Sequence, residues 1–165
     1  MVLKSNWIVG DTYAHTDAND VATAVNTALQ PSGALGTPAS GTLSNCVGQV
    51  ADLAIVAFGK DTARAASSYG DFPFGIKLQR PITFTSVTFR VSTADASGDL
   101  VAELRKNGAQ VSGTPTTIAA ANQVTGGTST GTWAFTTGDI ITVYVTGVGT
   151  TPGKGLIADI KGLTT

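Results

Sequence analysis

The chain has 165 residues, a net charge of −1 and 13 % charged residues, where soluble proteins average roughly 25 %. It carries no basic stripe and no apolar run near the roughly 20 residues of a membrane-spanning helix, so we expect no nucleic-acid or membrane partner. No secretory signal pattern opens it, so we expect synthesis in a cytosol. Its length fits one domain with an appendage, and its 26 threonines favour strands.

The first segment, residues 1–30, is predicted to be an attachment arm followed by a short α-helix. Thr16 or Asp17 can cap a helix whose apolar residues recur at helical spacing. A helix of about 13 residues is marginal alone, so this stripe must pack on the chain's own β domain, on other copies or on a larger assembly. We expect attachment or self-association, carried by Trp7, Tyr13, Val21, Val25 and Leu29.

Residues 31–52 form a connector rich in Gly, Pro, Ser and Thr. Its apolar residues include Leu35 and Leu43, which a single extended chain cannot bury. Three copies wound around a common axis could shelter them, whereas the alternative is an irregular surface loop. Cys46 is the one cysteine, so it is either a small buried hydrophobe or part of a disulfide between identical chains.

Residues 53–165 are predicted to form an all-β domain. The short β-rich segments are punctuated by turn residues, and Asn107-Gly108 is a strong hairpin signal. Seven or eight strands of this kind indicate an antiparallel, jelly-roll-like β-sandwich. The segments are residues 54–58, 74–79, 84–91, 100–106, 116–121, 131–135, 140–145 and 155–160.

The strand at residues 140–145 is largely apolar on both faces. Alternation places Ile140, Thr142 and Tyr144 on one face and Ile141, Val143 and Val145 on the other. An ordinary sandwich strand has one wet face. We therefore expect the outer face to meet another subunit, which agrees with a homotrimer of sandwiches.

Three sets of segments resemble virion proteins of tailed bacteriophages. Residues 35–46 (LGTPASGTLSNC) are similar to a segment of phage tail and head fibres. Residues 7–11 (WIVGD) and 16–26 (TDANDVATAVN) resemble the opening of virion proteins from phages of actinobacteria. Residues 98–108, 138–143 and 147–156 resemble a β-sandwich at the carboxyl ends of fibre and minor tail proteins. The resemblance implies architecture and a place on a virion, and it implies no reaction.

The residues that could carry chemistry favour a protein that is not an enzyme. His15 lies on the arm, away from any expected pocket. The chain has one glutamate, Glu103, which shares a strand face with Asp99, and paired carboxylates are what glycoside hydrolysis requires. Residues 149–155 imitate a phosphate loop but have the wrong spacing, so we interpret them as a turn. Asp139 is expected to fix a turn through its carboxylate. We predict no cofactor and no metal site.

The loop at residues 69–75 is the predicted recognition surface. Tyr69, Phe72 and Phe74 are costly to leave in water, and Asp71 adds a polar contact. The aromatic rings either plug the end of the sandwich, pack on a partner chain or stack on a sugar.

These observations predict a non-enzymatic structural protein of a tailed-phage virion. It would be a short trimeric head fibre, a capsid decoration or a minor tail protein, anchored by its N-terminus on major capsid or tail proteins. The alternative function is a module on the virion surface that binds a host receptor or glycan.

Overall fold

The structure is a computed structural model that describes residues 48–165. The predicted arm, helix and most of the connector lie outside the described residues. So do the attachment and connector residues Trp7, Tyr13, Val21, Val25, Leu29, Leu35 and Leu43, together with His15 and Cys46.

The described chain is all-β, with two antiparallel sheets and one 3₁₀ turn at Ala120–Asn122. None of its helical segments has the length and apolar character needed to cross a bilayer. The strands are β1 (Leu53–Ala63), β2 (Ile76–Lys77), β3 (Ile82–Arg90), β4 (Asp99–Lys106), β5 (Ala109–Gln110), β6 (Thr116–Ala119), β7 (Gly127–Phe135), β8 (Ile140–Gly147) and β9 (Lys154–Thr164).

The strand pairing is nested around β4 and β6. These two strands pair with each other, β3 pairs with β7, β2 with β8, and β1 with β9. Three further pairings, β3 with β9, β4 with β8 and β4 with β5, complete the sheets. The four-stranded sheet has the order β1-β9-β3-β7, and in the five-stranded sheet β2-β8-β4-β5 is extended by β6 beside β4.

Both sheets contribute alternate side chains to one hydrophobic core. Phe84 of β3 and Phe135 of β7 meet edge to face with their ring centroids 5.3 Å apart. Leu104 of β4 and Val143 of β8 approach from the other sheet, and all four side chains are buried. Each such residue contributes about 1.5–3 kcal/mol by leaving water, so the two sheets are held together mainly by this layer.

The Asn107-Gly108 hairpin and the Asp139 turn are confirmed. Asn107 has φ +52° and Gly108 has φ +85°, as a two-residue hairpin of this kind requires, and the turn joins β4 to β5. The Asp139 carboxylate accepts hydrogen bonds from the amide and the hydroxyl of Thr136 at 2.7 and 2.9 Å. It therefore closes the turn between β7 and β8.

Several strand lengths differ from the prediction. Strand β1 continues to Ala63 because irregularities in its register let it follow β9 past Gly59. The predicted strand at residues 74–79 shrinks to two residues, since Gly75 has φ +65° and packs tightly against β8.

The sandwich has two distinct ends. The described residues begin at the proximal end, at residue 48. At this end Val50 bridges to Leu163, and the Asp139 turn connects β7 of one sheet to β8 of the other. At the distal end lie the loops of residues 64–68, 91–98, 120–126 and 147–153.

Candidate binding surface

The aromatic loop, residues 69–75, lies on the outer face of the five-stranded sheet. The ring of Tyr69 packs edge to face on Tyr144 of β8, with centroids 4.7 Å apart. Of the three alternatives for this loop, the one in which its rings plug the end of the sandwich does not hold for the phenylalanines, because both lie outside the core. Phe72 is 39 % exposed and Phe74 is 87 % exposed.

Backbone contacts hold the loop in place at both ends. The amide of Asp71 donates to the carbonyl of Ala57 in β1 at 2.7 Å, and the Asp71 carboxylate accepts from the Gly59 amide at 2.7 Å. Gly70 has φ +67°, and a Cβ there would lie 2.0 Å from the Ala57 oxygen. Gly75 is equally confined by β8. The loop is thus fixed to two strands of different sheets and presents Phe74 from a defined position.

Phe74 borders a shallow groove of about 280 Å³. Ile140, which is 37 % exposed, lies on the groove together with Pro73 and Thr142. The Thr142 hydroxyl is buried and has no hydrogen-bond partner among the described residues. We call Pro73, Phe74 and Ile140 the Phe74 patch.

An ion pair between Arg105 and Glu103 supports the aromatic loop. The Arg105 guanidinium stacks on the Tyr144 ring at 3.4 Å from its centroid and donates to the Tyr69 hydroxyl at 3.1 Å. Its Nε donates to Glu103 at 2.8 Å, and Gln110 donates to the other oxygen of the same carboxylate. Burial alone would lower the pKa of Arg105, but its hydrogen bonds to Glu103 and Tyr69 raise it above the ordinary value. The guanidinium therefore stays charged and holds Tyr69 and Tyr144 together through its contacts with both.

The outer face of β8, which we expected to meet another subunit, is partly covered at its centre by the chain itself. Tyr69 of the same chain packs on Tyr144, and Arg105 stacks on the other side of this strand. Of the three residues predicted on that face, Ile140, Thr142 and Tyr144, only Ile140 is exposed. The apolar pattern of the strand is thus explained largely within one chain.

The distal end contains a buried polar cluster that the sequence did not reveal. Arg64 and Asp95 form an ion pair with 2.6 Å between Nη2 and Oδ1, and both side chains are fully buried. Gln123 accepts from Arg64 at 3.1 Å and donates to Asp95 at 3.1 Å. We call these three residues the Arg64 cluster. It joins three of the four distal loops, because its members lie at residues 64, 95 and 123.

The glycine-rich segment that imitates a phosphate loop joins β8 to β9 as a turn region, as predicted. Its amides bind an anion, but that anion is the side chain of Asp95. The amide of Gly149 donates to Asp95 at 2.9 Å and the amide of Gly153 at 2.6 Å. Burial alone would raise the pKa of Asp95, but the hydrogen bonds from Gly153, Gly149, Arg64 and Gln123 lower it below the ordinary value. The fourth distal loop is thereby tied to the Arg64 cluster.

Glu103 and Asp139 also serve structural contacts. Glu103 is enclosed by Arg105 and Gln110, while Asp99 on the same face is exposed. The pKa of Asp139 is lowered, first by its hydrogen bond with Lys106 and then by those from Thr136 and Asn107. Within residues 48–165, no three His, Cys, Asp or Glu side chains group in a way that could hold a metal ion.

A second apolar surface lies on the outer face of the four-stranded sheet. Val50 and Leu163 stand opposite each other in an antiparallel bridge and are 75 % and 43 % exposed. Gly162 faces the core, since a Cβ there would meet Phe84 and Ile82. Its neighbour Leu163 must therefore point outward. We call Val50 and Leu163 the Val50 patch.

Comparisons with known proteins add no family: no protein-family profile matches the sequence, and no curated protein matches it significantly.

Proposed function

We propose that this chain is a non-enzymatic structural protein of a tailed-phage virion. It would act as a short trimeric head fibre, a capsid decoration or a minor tail protein, held by residues 1–30 on capsid or tail proteins. The sandwich would be displayed on the outside of the particle.

One observation carries the structural role: three charged side chains are buried in contacts within the fold, while several large apolar side chains are exposed. Arg64, Asp95 and Glu103 are buried in contacts within the chain. Phe74 and Val50, in contrast, are mostly exposed. Exposed apolar side chains of this kind fit contacts with other protein. The fibre-like segment at residues 35–46 supports the same role.

We further propose that the sandwich is a jelly roll. The nested pairing supports it, since the pairs β4–β6, β3–β7, β2–β8 and β1–β9 are those of one long hairpin rolled into two sheets. Successive nested pairs alternate between the sheets, which is the arrangement that two interlocked Greek keys produce. Viral capsid and attachment domains often use this architecture, but that link is a fold-level analogy.

The alternative function, a module for a host receptor or glycan, rests on the aromatic loop. An exposed ring such as Phe74, held by a rigid backbone, can stack on a sugar face. Asp71, the charged residue of the predicted site, already accepts a hydrogen bond from the Gly59 amide. This alternative requires Phe74 to remain open in the assembled protein.

The proposal is tested with labelled full-length chain and with a variant that lacks residues 1–30. We expect the full-length chain to join phage particles and to scatter light as three copies. The truncated chain should keep the β-rich circular dichroism of the sandwich but be lost from particles. If the truncated chain is still incorporated, attachment lies elsewhere, and a full-length monomer at micromolar concentration contradicts the trimer.

A further inference from the structure

The side chain of Asn107, at the tip of the β4–β5 hairpin, is fastened to the turn between β7 and β8. Its Nδ2 donates to Oδ1 of Asp139 at 2.7 Å, and its Oδ1 accepts from the amide of Ile140 at 2.8 Å. A flipped side-chain amide would turn its N–H towards the Ile140 N–H and its oxygen towards the carboxylate, so the two contacts fix its orientation. Asp139 cannot follow a moving Asn107, because its other oxygen is held by Thr136 and Lys106.

Asn107 also belongs to the single Asn-Gly pair of the chain. Asparagine deamidates most readily before glycine, because glycine has no side chain to hinder attack by its own nitrogen and leaves the backbone free to turn. A Cβ at Gly108 would meet nothing within 4 Å, and the Gly108 amide donates to no backbone carbonyl among residues 48–165. The reacting nitrogen is thus open, so the state of Asn107 decides whether the reaction occurs.

Deamidation of this pair needs water and no other reactant. The Gly108 nitrogen loses its proton to solvent and bonds to Cγ of Asn107. The bond between Cγ and Nδ2 breaks, and ammonia leaves with a proton taken from solvent. Water then opens the cyclic imide at either carbonyl, which leaves an aspartate or an isoaspartate at position 107.

The folded chain opposes this reaction in two ways. Closing the imide ring needs Cβ of Asn107 and the Gly108 nitrogen on the same side of the Cα–C bond. Asn107 has φ +52°, in the left-handed helical region, where ψ is about +47° and these two atoms lie on opposite sides of that bond. The reaction also removes Nδ2, whose hydrogen bond to the Asp139 carboxylate is of the strong, charge-assisted kind. Asn107 must therefore give up both the turn conformation and the Asp139 contact before it can react.

We propose that Asn107 is a latent deamidation site, unreactive while its side chain is bound to Asp139 and reactive once the hairpin tip detaches. The product does not fit the folded position. An aspartate places a carboxylate oxygen opposite Oδ1 of Asp139, where Nδ2 now donates, and like charges at this distance repel. An isoaspartate lengthens the backbone of the two-residue turn by a methylene group. The modification thus makes an opening of the hairpin tip permanent, independently of the virion role proposed above.

The first test compares the full-length chain with a free peptide of residues 102–112 in the same warm, mildly alkaline buffer. Mass spectrometry of proteolytic fragments follows the conversion of the amide at position 107 to a carboxylate. We expect the folded chain to deamidate there about tenfold more slowly than the peptide, or slower still, because both contacts must first open. Equal rates would overturn the proposal, since the fold would then give no protection.

The second test removes the anchor. Asp139→Ala should deamidate at Asn107 about fivefold faster than the unmodified chain, or faster still, while keeping its β-rich circular dichroism. The matched control is Asp95→Asn, which weakens the distal end without touching Asn107 and should stay close to the unmodified chain. Equal acceleration in both variants would refute the anchor, because global unfolding would then govern the rate. If Asp139→Ala does not fold, Thr136→Val takes its place, since it removes only the hydroxyl bound to Asp139; a folded Thr136→Val chain without acceleration also refutes the anchor.

The third test examines the product. Asn107→Asp should lower the urea midpoint of unfolding, because it sets a second carboxylate against Asp139. Asn122→Asp, at an exposed position of the 3₁₀ turn, adds the same charge and should leave the midpoint close to that of the unmodified chain. Equal midpoints for the two variants would contradict a permanent opening.

Discussion

Replacing Asp95 by Asn tests whether the buried Arg64 cluster holds the distal end together. The carboxylate accepts four hydrogen bonds, from Arg64, Gln123, Gly149 and Gly153, at distances between 2.6 and 3.1 Å. Removing one partner of a buried ion pair costs about 3–5 kcal/mol because it leaves a buried charge without its counter-charge.

The expected cost is at the lower end of that range. The other terminal nitrogen of Arg64 still donates to the carbonyls of Thr93, Lys154 and Gly155 at 2.8–3.0 Å. These bonds solvate the guanidinium partially, so we expect Asp95→Asn to lower the free energy of unfolding by about 3 kcal/mol.

Equilibrium unfolding in urea, followed by tryptophan fluorescence, measures the effect. With an m-value of about 2 kcal/mol per M, the midpoint should fall by about 1.5 M. The matched control is Asp159→Asn, which breaks an exposed pair with Arg90 and should cost less than about 1 kcal/mol. If the two variants unfold within about 0.5 kcal/mol of each other, the argument from burial is refuted.

Three further outcomes are expected. The pKa values of Asp95 and Asp139 are lowered in the folded chain, so the stability that the two carboxylates contribute is complete above the pKa of an unfolded Asp, about 4, and is lost as the pH falls below it. Urea midpoints measured between pH 7 and pH 2 should show this loss, and the midpoint of Asp139→Asn should change less with pH. Gly70→Ala should destabilise the protein more than Gly108→Ala in the same urea assay, since both have positive φ but only a Cβ at Gly70 collides with β1; equal losses would contradict the fixed loop. Phe84→Ala should cost about 3–5 kcal/mol in that assay, because the ring is fully buried between the sheets, and a loss below about 1 kcal/mol would contradict this core.

The β architecture was predictable because strand signals are local. Alternation and turn residues located most of the strands, and Asn107-Gly108 specified a hairpin by itself. The all-β class with antiparallel sheets is therefore confirmed. The lengths of β1 and of the two-residue β2 were not predictable, since they depend on irregular register with β9 and on close packing of Gly75 against β8.

The candidate surface was only half predictable. The density of aromatic residues in residues 69–75 marked the loop, but its position depends on Tyr144 and Arg105, which are far away in sequence. The Arg64 cluster gave no local signal at all. Arg64 stands in an ordinary run of alanines, and its partner Asp95 is 31 residues away. Buried charge networks of this kind become visible only when loops from different parts of the chain meet.

The pairing of the first described strand with the last has a consequence for synthesis. Strand β1 ends at Ala63 and its partner begins at Lys154, so about 90 residues are translated before the partner exists. At about 5–20 residues per second, β1 waits roughly 5–20 s with an open hydrogen-bonding edge. During that interval it can be captured by the same strand of a chain on the adjacent ribosome. An mRNA that is translated by many ribosomes at once would therefore favour either early association of neighbouring nascent copies of the chain or their entanglement.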